Sequence, residues 1–257
     1  MKHLFAVSLM LFSAAFYSCK EQESIMQEEP IPATLVEKLK SAGFLTDQIQ
    51  KTPDGYLVEG DILVDEAVLT NPEQQHFIIA REEHYRTTNL VTGLPRTISI
   101  RLAAGFPTTA SNALNTVISS YNSLNLQIRF QRVTSGGQIV ISQTNGIPYI
   151  ASAGFPSGGN PFPSIRINAA YIFQPANTVA RIMAHEIGHC IGFRHTDFAS
   201  LGTCTGVPPS EPAGVGAIHI PGTPTGPDAT SWMMRCLNPA ITTLFNANDR
   251  VALNYLY

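Results

Sequence analysis

The residues best suited to chemistry in this 257-residue chain are His185-Glu186-Ile187-Gly188-His189 and, a little further on, Gly192 and His195. In a helix, side chains four residues apart lie one turn apart on the same face, so His185 and His189 present two imidazoles to one point. A catalytic zinc takes three protein ligands and keeps one position open. Gly192 permits a sharp bend after the helix, and His195, three residues later, can turn back to supply the third nitrogen. Glu186 points toward the same place but is offset from a ligand position, which leaves it free to take a proton from an attacking water. The chemistry is Zn2+-assisted hydrolysis.

These side chains need a helix, and the pattern supplies one: Met183, Ile187 and Cys190 form an apolar stripe turned away from the two histidines. Asn177 or Thr178 is a suitable N-cap and Gly192 a suitable stop. Ahead of it, strands and helices alternate from Arg96. Ile98 and Ile100 open a strand; Ala110, Leu114, Val117, Ile118 and Tyr121 trace a helix face; Leu126, Ile128 and Phe130 alternate with polar residues, as do Ile165 and Ile167, and Ile139 to Ile141 follow a Gly-Gly turn. A last helix is expected after Asn248. Upstream, Ala33 to Ala42 reads as a short helix, and Tyr56 to Val64 as extended chain broken at Gly60-Asp61. The stretch from Asn71 to Pro95, with Arg81, Arg86 and then Arg96, reads as an exposed polar connector.

A 44% hydrophobic composition is enough for a real core, and a net charge of -3 without any Lys/Arg run excludes a nucleic-acid partner or an anionic membrane surface. Lys2 and His3 precede an apolar run, Leu4 to Phe16, that is too short to span a bilayer, so residues 1–18 read as a secretory signal. Phe16-Tyr17-Ser18-Cys19 resembles a bacterial lipoprotein signal, which implies lipidation of Cys19, a polar tether over 19–32 and an exported protein anchored at the outer membrane. The membrane contact is then through the lipid alone. Cys190, Cys204 and Cys236 remain, an odd number in an oxidising compartment; Cys204 pairs with Cys236 or with Cys190.

The string from His185 to His195 resembles the long metzincin signature, and Ser231-Trp232-Met233-Met234 resembles the Met-turn beneath the metal in that clan, with Met233 in register. The nearest resemblance is to bacterial HEIGH-type metallopeptidases, from about Arg96 to Tyr257. It implies an α+β fold, a twisted mixed sheet above the zinc helix, with a Met-turn and a closing C-terminal helix. The catalytic domain is then 96–257, preceded by a pro-like region and connector over 33–95. The implied activity is a monomeric zinc endopeptidase acting on proteins or peptides. Ala153-Gly154-Phe155-Pro156 and Ser164 to Asn168 resemble the loop and edge strand that pair with an extended substrate.

Departures from the astacin and serralysin patterns are Arg235, where those families place a Tyr, and Thr196 after the third histidine. Val58-Glu59-Gly60-Asp61-Ile62 resembles the Phe-x-Gly-Asp element of astacin propeptides, which implies Asp61 as a latency ligand to the zinc; a plain Gly-Asp surface turn is the other reading. His219 reads as an ordinary exposed loop residue. The alternative function is a surface zinc-binding or adhesion protein without turnover, against which Glu186 argues, because a structural zinc site has no use for a base.

Overall fold

In the strand Ile128–Val133, buried Ile128 and Phe130 alternate with exposed Arg129 and Gln131, the period-2 pattern of a sheet with one face in the core. The computed structural model describes residues 30–65, 84–197, 217–224 and 227–257. Its central sheet is built from β5 (Arg96–Leu102), β6 (Ile128–Val133), β7 (Ile139–Thr144), β8 (Ala151–Ser152) and β9 (Ser164–Asn168), in the order β6-β5-β7-β9-β8. The β5–β6, β5–β7 and β7–β9 pairings are parallel, and β8 runs antiparallel to β9. The fold is α+β.

Helices α2 (Thr108–Asn122) and α3 (Ala176–Cys190) complete the layer that packs on this sheet. Ala110, Leu114, Val117 and Tyr121 of α2 join Val179, Met183 and Ile187 of α3 and the sheet isoleucines in one buried cluster. Ile118 of α2 is only half-buried, at the rim of that stripe. Helix α3 starts at Ala176, ahead of the expected Asn177 or Thr178 cap. Pro175 sets the extended entry, and its carbonyl accepts the first-turn N–H of Val179 at 3.1 Å. At its other end, Phe193 N donates to Gly188 O and Gly192 N to His189 O, both at 2.9 Å, with Gly192 at φ 109. This Schellman closure ends the helix at Cys190 rather than Gly192 and swings the chain back toward the site.

The closing helix α4 (Ala247–Leu256) also begins earlier than expected. Asn246 caps it: its side chain accepts from Asp249 N at 2.9 Å, and Asn246 N donates to Asp249 Oδ2 at 2.8 Å.

The residues Ile31–Tyr257 form one compact unit, in which the amino-terminal part has its own small core. Helix α1 (Ala33–Ser41) buries Leu35 and Leu39 against Phe44, Val58, Ile62 and Val64, beside the antiparallel strands β1 (Gln50–Thr52), β2 (Gly55–Val58) and β3 (Ile62–Val64). Phe155 packs against this cluster, stacked on Phe44 with ring centroids 6.2 Å apart.

Two expectations are corrected. Ser164–Asn168 is not the edge strand but lies between β7 and β8; the edge is β8, whose two residues are too few to show a periodicity. The connector is only partly exposed from His84 onward: His84, Tyr85, Thr87 and Val91 are buried, whereas Thr88, Thr92, Gly93 and Pro95 are exposed. Strand β4 (Tyr85–Arg86) pairs with β10 (Ile218–His219), and the neighbouring backbone bonds to the chain around the third histidine, Arg194 N to Tyr85 O and Thr87 N to Gly192 O, each 2.8 Å. The signal segment, Cys19, Arg81 and Cys204 lie outside the described residues. No helix among the described residues is long and apolar enough to cross a membrane.

Candidate metal centre and active site

The α3 spacing does what the sequence implies. His185 and His189 project from adjacent turns, their Nε2 atoms 3.1 Å apart, and the Gly192 bend returns His195 so that its ring stacks 5.3 Å from that of His185. Two of the imidazoles are oriented from behind through Nδ1. His185 Nδ1 donates to Trp232 O at 2.7 Å, and His189 Nδ1 donates to Phe193 O at 2.8 Å. His195 Nδ1 lies 3.7 Å from Glu59 Oε2.

With Nδ1 of His185 and His189 serving as donors, both Nε2 atoms offer lone pairs to each other across a short gap. A cation between them resolves that contact. Asp61 closes the group: its Oδ2 is 3.1 Å from His195 Nε2 and 3.3 Å from His185 Nε2, and its Oδ1 is 3.8 Å from His189 Nε2. The buried Oδ1 has no hydrogen-bond partner among the described residues. Three imidazoles and one carboxylate within reach of a single ion fit zinc, and Asp61, His185, His189 and His195 together could hold it.

Glu186 is buried beside this centre, and its Oε2 has no hydrogen-bond partner among the described residues. Burial, and then the charge of Asp61, push its carboxyl well above the usual range. His189 is pushed well below its ordinary value, first by burial and then by the neighbouring histidines, so it stays neutral. His195 moves the other way. Burial would lower it, but the Asp61 and Glu59 carboxylates raise it to about 10. That surplus of negative charge around three imidazoles also favours a cation.

Met233 is fully buried under α3. A Cβ added at Gly188 would sit 2.5 Å from Met233 Sδ and 3.0 Å from Trp232 Nε1, so helix and turn touch through a position that admits no side chain. Trp232 Nε1 donates to Tyr121 Oη at 3.2 Å, and Tyr121 Oη donates to Ala184 O at 2.9 Å, tying α2, α3 and the turn together. Burial pushes the Tyr121 phenol well up, which keeps that donor protonated.

A cavity of about 310 Å³ opens on the Glu186 side, walled by Tyr149, Ile150, Ile182 and Leu237, with Arg181 and Arg235 also lining it. On the edge strand, Leu63 N donates to Ala153 O at 2.7 Å and Ala153 N to Asp61 O at 3.0 Å, so the segment carrying Asp61 is paired where the sheet would otherwise end.

His219 stays out of the site and is half-buried, bonded at 2.9 Å to Thr223 Oγ1. Cys190 is a buried free thiol and Cys236 is in a disulfide, which removes the Cys190–Cys204 alternative. A second group, His84, Asp228 and Asp249, has donors close enough for an ion, but Asp249 already accepts from His84, Trp232 N and Asn246 N. It serves as a tether between the connector, the turn and α4.

Sequence reasoning missed the buried pair Glu59–Arg194. Its members are 135 residues apart, and nothing in the sequence marks them as partners.

A helix-borne pair of imidazoles, a third from the following bend and a buried carboxylate beside them define a metallohydrolase site on an α+β frame. The chain belongs to the dual-action HEIGH metallo-peptidase family, which matches residues 56–257; it is a metallopeptidase. Among solved structures it is similar to myroilysin, at 15% identity over 66% of this chain and 96% of that one, with a TM-score of 0.47. A second myroilysin structure gives 16% identity over 63% and 83% of the two chains, with a TM-score of 0.42. High choriolytic enzyme 1, a hatching enzyme zinc-protease from the medaka fish Oryzias latipes, gives 15% over 63% and 88%, with a TM-score of 0.39. Comparison with curated proteins finds no match.

Proposed function

We propose that this chain is an exported zinc endopeptidase held latent by its own amino-terminal region. The observation that carries the reading is Asp61: its carboxylate sits among the three imidazoles while its backbone, with that of Leu63, pairs with the edge of the sheet at Ala153. An extended substrate needs that same edge.

In the active form His185, His189 and His195 hold the metal. When bound, zinc supplies Lewis-acid polarisation of the scissile carbonyl and makes water more acidic. Glu186 takes the proton from the attacking water and delivers it to the leaving amine. Its raised pKa in the latent chain comes partly from Asp61, so departure of Asp61 removes one of the causes. The backbone at Ala151 to Ala153 orients the peptide, and the cavity beside Glu186 receives a side chain.

The remaining steps follow from the sequence. Residues 1–18 direct export, Cys19 carries a lipid at the bacterial outer membrane, 19–32 is a tether, 33–95 the pro-like region and connector, of which the part before His84 confers latency, and 96–257 the catalytic domain of a monomer. Arg86 and Arg96 are bonded within structured chain, Arg96 to Gly159 O at 2.9 Å and Asn160 Oδ1 at 2.8 Å. The activating cut therefore falls before His84, with Arg81 the candidate. We hold that Cys236 pairs with Cys204.

The test is peptide cleavage by zinc-loaded residues 20–257, before and after limited trypsin treatment. Activity that follows the cut, vanishes with a chelator and is absent from Glu186→Ala is expected. Bound metal with no cleavage of a broad peptide library, cut or uncut, would sink the proposal.

A further inference from the structure

Two guanidinium side chains, Arg181 and Arg235, line the cavity beside Glu186, where the amino-terminal segment also places the Asp61 carboxylate. Arg181, on α3, is 5% exposed. Its Nη1 donates to Thr243 O at 2.6 Å and its Nη2 to Ser231 O at 3.5 Å, and its buried Nε has no hydrogen-bond partner among the described residues. Those carbonyls fix the direction of the guanidinium without neutralising it. Burial lowers its pKa, and the field of Asp249 works against that shift from a carboxylate already engaged by His84, Trp232 N and Asn246 N.

Arg235, two residues after Met233, is half-buried and lies against the segment at Gly60: a Cβ added there would sit 3.3 Å from Arg235 Nε and 3.4 Å from Nη2. Its backbone N donates to Asp197 Oδ1 at 3.3 Å, which holds the chain in place, while its guanidinium makes no hydrogen bond or ion pair with any described residue. Gly60 therefore covers this charge without pairing it. Two positive charges along one cavity repel each other, and a desolvated charge without a counter-charge is costly. When the segment leaves, Asp61 goes with it, and the carboxylate that remains in the wall is Glu186, which serves the attacking water. Tyr149, Ile150, Ile182 and Leu237 add apolar surface suited to the stem of a side chain.

We propose that this cavity is a subsite for a carboxylate of the substrate, bound directly by Arg235 and held in the field of Arg181. The inference rests on the reading that the amino-terminal segment leaves the cleft on activation. Once Gly60 no longer covers it, the planar guanidinium of Arg235 can meet a carboxylate through two parallel hydrogen bonds. A peptide carries that group in two places, on a Glu or Asp side chain near the cleaved bond or at its own C-terminus. In the second case the enzyme trims peptides from that end.

The zinc-loaded chain is activated by limited trypsin treatment, trypsin is then inhibited, and paired peptides are compared, with the cut sites mapped by mass spectrometry. In one arm, Glu or Gln stands at one of the three positions on each side of the scissile bond; in the other, one neutral peptide ends in a free acid or in an amide. At one position Glu should raise kcat/KM about tenfold or more over Gln, or the free acid should do so over the amide, and the arm that responds identifies the source. Arg235→Met should bring that ratio toward one, and Arg235→Glu should reverse it. The wild-type comparison stands alone if these variants fold poorly. Cleavage with Glu and Gln equivalent at every position and acid equivalent to amide, or a preference that both folded variants keep, would overturn the inference and leave the peptidase standing. No cleavage of any peptide would overturn both.

Discussion

Glu186 has a buried Oε2 with no hydrogen-bond partner among the described residues. A buried oxygen in that condition is costly unless the site uses it. Replacing Glu186 with Gln keeps the shape and removes the base. Turnover of the activated chain should fall by about 10²–10⁴-fold, while metal content, measured by atomic emission, stays at one per chain. Loss of metal in this variant would mean that Glu186 is a ligand and not a base. The three histidines were legible because the helical period alone puts positions 185 and 189 on one face and a glycine bend brings back the third. The Glu59–Arg194 pair was not, since its members are 135 residues apart and only the folded chain brings them together.

At the scale of elements, the contact between α3 and the turn at Met233 is set by Gly188. A methyl group there would meet Met233 Sδ at 2.5 Å, with Trp232 Nε1 at 3.0 Å and already engaged by Tyr121. Gly188→Ala raises intrinsic helix propensity, but the overpacking should outweigh it and cost about 1–3 kcal/mol. The expected readout is a melting temperature lower by about 2–4 °C for each kcal/mol. An unchanged or raised melting temperature would show that the turn is free to yield. Elements with strong periodicity, α2, α3 and the isoleucine strands, were readable to within a few residues. The edge was misassigned because β8 is two residues long, and α3 and α4 were started late because Pro175 and Asn246, rather than the later polar residues, close their first turns.

For the molecule as a whole, two neighbouring carboxylates of the amino-terminal segment reach the site, Asp61 in the metal centre and Glu59 on Arg194. Burial alone would raise the Glu59 carboxyl, but Arg194 and His195 outweigh it and hold it below its ordinary 4.5. A carboxyl with a lowered folded-state value contributes stability that is fully present above the unfolded value and lost as pH falls through the folded one. Glu59→Gln leaves Arg194 a buried charge without its carboxylate, which should cost the uncut chain about 3–5 kcal/mol. In denaturant titrations, the gap between wild type and this variant should be full at pH 7 and close as pH drops below about 4.5. A gap that does not depend on pH would mean that Glu59 acts through packing and not through charge. None of this coupling is visible in composition or periodicity, because it exists only where the pro-like region and the catalytic residues meet.

The most direct test is the activity of the uncut, zinc-loaded chain carrying Asp61→Ala, beside uncut wild type. With the carboxylate gone from the three-histidine centre, cleavage of a small neutral peptide should rise at least about tenfold without any proteolytic cut, and should be abolished by adding Glu186→Ala. Equal activity of the two uncut chains, whether both high or both absent, would contradict the claim that Asp61 keeps this metallopeptidase latent.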